Sequence, residues 1–341
     1  MADNVVDQIV ENLKKSGECF PEHSEVRGVR VVGRAPKLDH YTYEIVLEFA
    51  DGSERVSAKV YRAGKCGSHT PQELAKTEAR NLSLAFHATQ KYGLEGVPRP
   101  LGDFTDLGGV VSTKVDGLPL QSIILKTALL PDFGISNEGS LELAARRAGQ
   151  WLQQFHMATA QRPAALDTEA LLSEMEQLCR RAEKNALPAA STEAILENAR
   201  STLWRHNRPL PSSAVLNDFV PLNVLVAESG VGFCEFASLI QNGNSLYDVA
   251  VFLAAVEALE KYPFCDRRLT AWVQDSFLEG DGVQAQELQL LIVLKLKVLL
   301  QMFTQGRAAN KESAERKKVM WANVMKRFIQ QATDRTLAPA A

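Results

Sequence analysis

Residues 216–226 read Leu-Asn-Asp-Phe-Val-Pro-Leu-Asn-Val-Leu-Val. This stretch limits the fold more than any other in the chain. Proline fixes φ and lacks an N–H, so neither a helix nor an interior strand runs through Pro221. The aliphatic run Val224, Leu225 and Val226 behind it reads as a short strand. A loop stiffened by proline and anchored on a strand therefore holds Asp218 and Asn223 in a set geometry. In such a loop a carboxylate can accept the proton of an attacking hydroxyl, and an amide carbonyl oxygen can ligate a divalent ion. The ordinary alternative is a polar loop before a strand, and the rest of the chain has to decide.

Ahead of this loop lies a β-rich region. Residues Asn4 to Lys15 have Val5, Ile9 and Leu13 at helical spacing, with Gly17 ending the helix. Three strands are expected next, at Val29 to Arg34, Tyr41 to Phe49 and Glu54 to Arg62, with an Asp51-Gly52 hairpin signal between the second and third. On the third strand Val56, Ala58 and Val60 share one face, and Ser57, Lys59 and Tyr61 share the other. Lys59 is either a solvated strand residue or a ligand of nucleotide phosphates steadied by a carboxylate on the next helix. That helix begins at Pro71 and offers both Glu73 and Glu78. The segment Gly33 to His40, ahead of the second strand, holds a single glycine. It is poor material for a backbone phosphate cradle and leaves Arg34 and Lys37 as the basic alternatives.

A short strand at Leu101 to Phe104 and another at Gly109 to Val115 follow, and a boundary is expected near residue 117. Helical patterning dominates beyond it, at Leu141 to Ala158, Asp167 to Asn185, Ser191 to His206 and Arg267 to Gln331. His156, at the end of the first of these, reads as a structural residue. Glu169, Glu174, Glu176, Glu193 and Glu197 form an acidic set that is either a solvated face or a site for a cationic molecule.

The Asp218-Phe219-x-Pro221-x-Asn223-x-Leu225 pattern resembles the catalytic loop of the aminoglycoside phosphotransferase and choline kinase family, H-G-D-F-x-P-x-N-[IVL]-L. Leu216 and Asn217 stand where that family usually has His and Gly. Residues 231–237, Val-Gly-Phe-Cys-Glu-Phe-Ala, and 243–250, Gly-Asn-Ser-Leu-Tyr-Asp-Val-Ala, resemble its I-D-F-E-x-A and G-D-P-x-x-D-L-A segments, with Glu235 in place of the metal-binding aspartate. The resemblance runs from about Val29 to Leu253. It implies an α+β, protein-kinase-like two-lobe fold. A small lobe of antiparallel sheet plus helix (residues 1–117) would bind nucleotide, and a large, mainly helical lobe (118–341) would carry catalysis and the acceptor.

The same resemblance implies an ATP-dependent phosphotransferase with an alcohol group as acceptor, on a sugar, amino sugar or amino alcohol. Asp218 would be the catalytic base. Lys59 would bind phosphate and Glu78 would position it. Backbone groups of Lys114 and Val115 would bind adenine. Asn223 and Glu235 would hold Mg²⁺, with Mn²⁺ the easier fit for the longer glutamate arm, and Asp248 would brace the catalytic loop. The departures at Leu216, Asn217, Glu235 and the glycine-poor loop leave an alternative, a kinase-shaped binding or regulatory protein with weak or no turnover.

Composition is that of an ordinary globular chain. The 341 residues are 45% hydrophobic and 23% charged with a net charge of −3, which does not suggest a general role on nucleic acid or anionic membranes. Five scattered cysteines without C-x-x-C spacing indicate neither zinc site nor disulfide framework, and fit a reducing cytoplasm. The start Met1-Ala2-Asp3-Asn4 does not read as a signal peptide. The apolar stretch Leu288 to Phe303 carries Lys295 and Lys297, so it reads as a buried helix and not a membrane span.

Overall fold

A computed structural model describes residues 2–15, 19–23, 25–129, 134–185, 187–206, 208–305, 326–327 and 329–330. Gly17 and, within the stretch expected to be helical up to Gln331, residues 306–325, 328 and 331 lie outside these. The chain forms two compact units, residues 1–117 with 227–240, and 118–226 with 241–341. The return of 227–240 to the first unit is not visible in a linear reading, which assigned everything beyond 117 to the helical part.

In the first unit, α1 (Ala2–Leu13) packs on an antiparallel sheet of β1 (Gly28–Pro36), β2 (His40–Glu48), β3 (Ser53–Tyr61) and β4 (Gly109–Thr113), in the order β1-β2-β3-β4. Period-two alternation puts Tyr43, Ile45, Leu47, Val56, Ala58 and Val60 on one face, where they bury against Val6, Ile9, Leu13 and Phe20. The opposite face carries Lys59. The Asp51-Gly52 turn closes as expected, with the Phe49 N–H donating to the Gly52 carbonyl at 2.9 Å. No strand forms at 101–104. Pro98 and Pro100 lack donors, Gly102 takes φ +66°, and Asp103 accepts from the N–H of Thr105, where a single 3-10 turn (Thr105–Leu107) begins, at 3.0 Å. Helix α2 (Pro71–Gln90) follows β3 and is longer than its apolar pattern required. The short strand β9 (Val231–Phe233) closes this unit.

In the second unit β5 (Leu118–Pro119) pairs with β8 (Val224–Val226). The helices are α3 (Leu120–Leu129), α4 (Gly134–Ala158), α5 (Thr168–Lys184), α6 (Ala189–Arg205), α7 (Leu246–Glu257), α8 (Arg267–Asp281) and α9 (Leu288–Gln305). Strands β6 (Gln161–Ala164), β7 (Leu210–Val215) and β10 (Ile240–Asn244) make a small sheet in the order β10-β7-β6. Helix α9 is the apolar stretch flagged in the sequence. Its Lys295 is buried and donates to the Glu257 carboxylate of α7 at 2.5 Å, so the charge lies in the core as a pair. Among the described residues no helix is long and apolar enough to cross a membrane, and the five cysteines are free thiols.

Candidate functional site

The residues singled out by the sequence fall into two groups, one in each unit. In the first unit, Lys59 points from β3 toward α2. It is only 8% exposed, and its Nζ donates to Glu78 Oε1, to Glu235 Oε2 at 2.7 Å and to the Cys234 carbonyl at 3.2 Å. Burial alone would lower its pKa, but the Glu78 and Glu235 carboxylates hold it well above the ordinary lysine value, so the ammonium stays charged.

Helix α2 decides between the two candidate glutamates. Thr70 is its N-cap and forms a capping box with Glu73. The Glu73 N–H donates to Thr70 Oγ1 at 3.2 Å, and the Thr70 N–H donates to Glu73 Oε2 at 2.7 Å. Glu73 is thereby committed to starting the helix, and Glu78 is the residue that reaches Lys59. Glu78 is 2% exposed and fully engaged. Besides Lys59 it accepts from the Tyr61 hydroxyl at 2.7 Å and the Phe236 N–H at 3.3 Å. The same helix face carries Asn81, whose amide donates to the carbonyls of Phe236 at 3.0 Å and Leu239 at 3.1 Å. These bonds pin the segment bearing Glu235. Neither Tyr61 nor Asn81 was identified from sequence. The available signals were that Tyr61 shares a strand face with Lys59 and that Asn81 follows Glu78 by one helical turn. Cys234 lies beside the cluster, and burial, then the neighbouring Glu235, pushes its thiol up to about 12.

The turn ahead of β2 does not form a phosphate cradle. Residues Lys37–Asp39 close it tightly, with the Lys37 N–H donating to the His40 carbonyl at 2.9 Å. Gly33 instead sits at a bulge in β1. Arg34 lies over the Tyr41 ring at 4.1 Å. At the end of β4, the Lys114 N–H donates to the Arg55 carbonyl at 2.9 Å, and Lys114 Nζ meets Glu44 at 2.8 Å. Of the backbone groups expected to meet adenine, the Lys114 N–H is therefore occupied by the sheet. Residues Thr113–Asp116, together with 95–98 and 229–232, border a cavity of about 260 Å³. Gly232 permits this approach, because a Cβ there would stand 2.4 Å from Val115 Cγ1 and 2.8 Å from the Gly96 carbonyl oxygen.

The second group is the loop 216–223. Asp248, on α7 and wholly buried, accepts from the Leu216 N–H and the Asn217 N–H, both at 2.8 Å. His156 Nε2 donates to the same carboxylate at 3.1 Å. His156 therefore braces the brace, in keeping with its structural reading. Asn217 has φ +60°, the left-handed region. After glycine, asparagine enters that region most readily, which accounts physically for Asn where the resembling motif has Gly. Leu216, in the motif's His position, is fully buried.

Phe219 anchors the loop in an aromatic cluster, parallel to Trp151 at 5.8 Å and flanked by Phe252 at 5.9 Å and Phe277 at 6.3 Å. From there the chain turns back. The Val220 N–H donates to the Asp218 carbonyl at 2.8 Å, and the Asn223 amide nitrogen donates to Asp218 Oδ2 at 2.9 Å. This bond orients both side chains and turns the Asn223 carbonyl oxygen, the atom able to ligate a cation, away from Asp218.

The acidic set on α5 and α6 is partly engaged within its own unit. Glu174 pairs with Lys297, and Glu176 with Arg200 at 2.8 Å. Those two are held in ion pairs at the surface, and Glu169, Glu193 and Glu197 are exposed. Among the described residues no three His, Cys, Asp or Glu side chains are arranged to hold a metal ion by themselves. An ion here would draw its remaining ligands from water or phosphate.

No protein-family model and no curated protein matches the sequence. Solved structures do. A glucosamine kinase in complex with glucosamine, ADP and inorganic phosphate is 15% identical, covering 93% of this chain and 96% of its own, with a TM-score of 0.53. An aminoglycoside phosphotransferase from Alicyclobacillus acidocaldarius is 16% identical over 94% and 96% of the two chains, with a TM-score of 0.52. An amicoumacin kinase in complex with AMP-PNP, Ca²⁺ and Ami is 13% identical over 97% and 95%, with a TM-score of 0.53.

Proposed function

On the premise that this chain has the protein-kinase-like fold of the aminoglycoside phosphotransferases and other small-molecule kinases, we propose that it is an ATP-dependent phosphotransferase. It transfers the γ-phosphate to a hydroxyl of a sugar, amino sugar or amino alcohol. One observation carries the reading. Lys59 from β3, Glu78 from α2 and Glu235 from a segment 176 residues away in sequence meet at a single buried ammonium. Burying a lysine with two carboxylates is a costly arrangement that packing does not need, and it supplies the phosphate-binding charge and an adjoining metal-binding carboxylate.

In this reading Asp218 accepts the proton of the acceptor hydroxyl, oriented by the Asn223 amide. Lys59 holds the nucleotide phosphates and Glu78 keeps Lys59 in place. The Lys114 carbonyl and Val115 N–H receive the adenine. Asn223, through its carbonyl oxygen, and Glu235 are the oxygen donors that would hold Mg²⁺ or Mn²⁺, which when bound neutralises phosphate charge. Both are hard ligands of the kind these ions take.

A second reading, a nucleotide-binding protein with weak or no turnover, has its own support. Glu235 is already paired with Lys59, the β1–β2 turn closes on itself without glycine, and the Lys114 N–H is occupied. The test is ADP production from ATP with a panel of sugars, amino sugars and amino alcohols, alongside calorimetric titration of ATP. The phosphotransferase reading expects turnover with at least one acceptor, and a loss of roughly a hundredfold to ten-thousandfold in Asp218→Asn with nucleotide affinity kept. ATP binding without turnover on any acceptor selects the second reading. Near-normal turnover in Asp218→Asn removes that residue from the mechanism.

A further inference from the structure

His40 opens β2 and was given no role by the sequence. It is 6% exposed, and its ring sits edge-on to Tyr61 at 5.7 Å. Its two nitrogens differ sharply. Nδ1 lies 2.8 Å from Asp39 Oδ1, and since a carboxylate only accepts, Nδ1 carries the proton of that bond. Nε2 is buried and has no hydrogen-bond partner, and it faces Glu235 Oε1 at 3.9 Å. The other oxygen of Glu235 is the one bound to Lys59. With Nδ1 engaged by Asp39, Nε2 is the ring atom left to face Glu235. The buried Nε2 and the Glu235 oxygen thus face each other across a gap with no hydrogen bond between them.

From this geometry we infer that His40 is a further ligand of the divalent ion held by Glu235, a role that rests on the phosphotransferase reading above. Three features converge on it. Metal-ligating histidines commonly donate their second ring nitrogen to a carboxylate, which fixes the tautomer and raises ligand basicity, and Asp39 stands in that position. Neighbouring ligands of an octahedral ion are about 3 Å apart at bond lengths near 2.1 Å, so a side-chain rotation of Glu235 closes the gap. Asp39, Glu78 and Glu235 set three negative charges against Lys59 and, further out, Lys37, whose field reaches Cys234. The cluster accommodates more positive charge. An imidazole ligand also selects among ions, because nitrogen donors favour transition metals over Mg²⁺.

The experiment is pulsed electron paramagnetic resonance on the full chain with Mn²⁺ and AMP-PNP, reading the electron spin-echo modulation from directly bound imidazole nitrogen. The expected result is a ¹⁴N modulation in the natural protein. It changes to the ¹⁵N pattern on histidine labelling and is lost in both His40→Ala and His40→Gln, while Mn²⁺ remains bound at an affinity about tenfold or more lower. The glutamine variant keeps bulk beside Tyr61, and thermal unfolding checks that it folds. Asp39→Asn should lower Mn²⁺ affinity while retaining the modulation. Mn²⁺ bound with nucleotide but without imidazole modulation, or with modulation unchanged in the His40 variants, overturns this inference and leaves the phosphotransferase reading standing. No Mn²⁺ binding with nucleotide overturns both.

Discussion

Replacing Asp248 by Asn tests how the loop bearing Asp218 is held. The carboxylate is wholly buried and divides its oxygens. Oδ1 takes the Asn217 N–H at 2.8 Å, and Oδ2 takes the Leu216 N–H at 2.8 Å and His156 at 3.1 Å. Asparagine has the same shape but one oxygen. If that oxygen stays with Leu216 and His156, the new amide nitrogen faces the Asn217 N–H, donor against donor. One hydrogen bond to a charged group is lost, at about 1.5–3 kcal/mol, and one donor is left unsatisfied, at about 1–3 kcal/mol. The sum is roughly 2.5–6 kcal/mol, toward the lower end because Asn217 is only half-buried. Asn217 is also held at φ +60°, so releasing its N–H frees the loop to leave a conformation it adopts reluctantly. Amide hydrogen exchange at Leu216 and Asn217, with thermal unfolding, measures the effect. Protection of both amides should fall, and turnover should drop with nucleotide affinity preserved. A loss below about 1 kcal/mol with unchanged protection at 216 and 217 would refute the reasoning.

Three other outcomes are expected. Lys59→Met strands two carboxylates in a buried site and should destabilise the protein by about 3–5 kcal/mol; a thermal midpoint near that of the natural protein would show the pair to be solvated. Glu235→Asp shortens the arm and should raise the ratio of Mg²⁺- to Mn²⁺-supported turnover, whereas an unaltered ratio withdraws Glu235 as a ligand. Burial pushes the Asp281 carboxyl up to about 6 from its ordinary 3.8. The folded state therefore keeps this proton between those values while the unfolded state has lost it, and its contribution to stability, whole below pH 4, disappears as pH rises through 6. The shift corresponds to about 3 kcal/mol. Asp281→Asn should flatten that part of the pH–stability profile and exceed the natural protein in stability above pH 6. Urea unfolding at pH 5 and 7.5 reads it, and an identical pH slope in the variant removes Asp281 as its source.

Much of the architecture was legible because its signals are local. Alternation along β2 and β3, the Asp51-Gly52 turn and the apolar stripe of α4 each depend on neighbours a few residues away. So did the loop at 216–226, where a proline and an aliphatic run constrain the backbone whatever surrounds it. The choice between Glu73 and Glu78 was not local in the same sense. Both stand on the same helix, and only the cap at Thr70 and the position of Lys59 across β3 separate them. His40, Tyr61 and Asn81 stayed invisible for a related reason. Each is an ordinary polar residue in its own segment; Tyr61 gains a role only when α2 packs beside β3, and His40 and Asn81 only when residues 234–239 return to the first unit. The sequence by itself determined which residues bring charge and where the backbone turns, since those follow from side-chain chemistry and short-range sterics. Which charges meet was decided by the tertiary structure alone, because electrostatic and hydrogen-bond partners are set by distance in space, and residues 59 and 235 acquire theirs only when the chain folds.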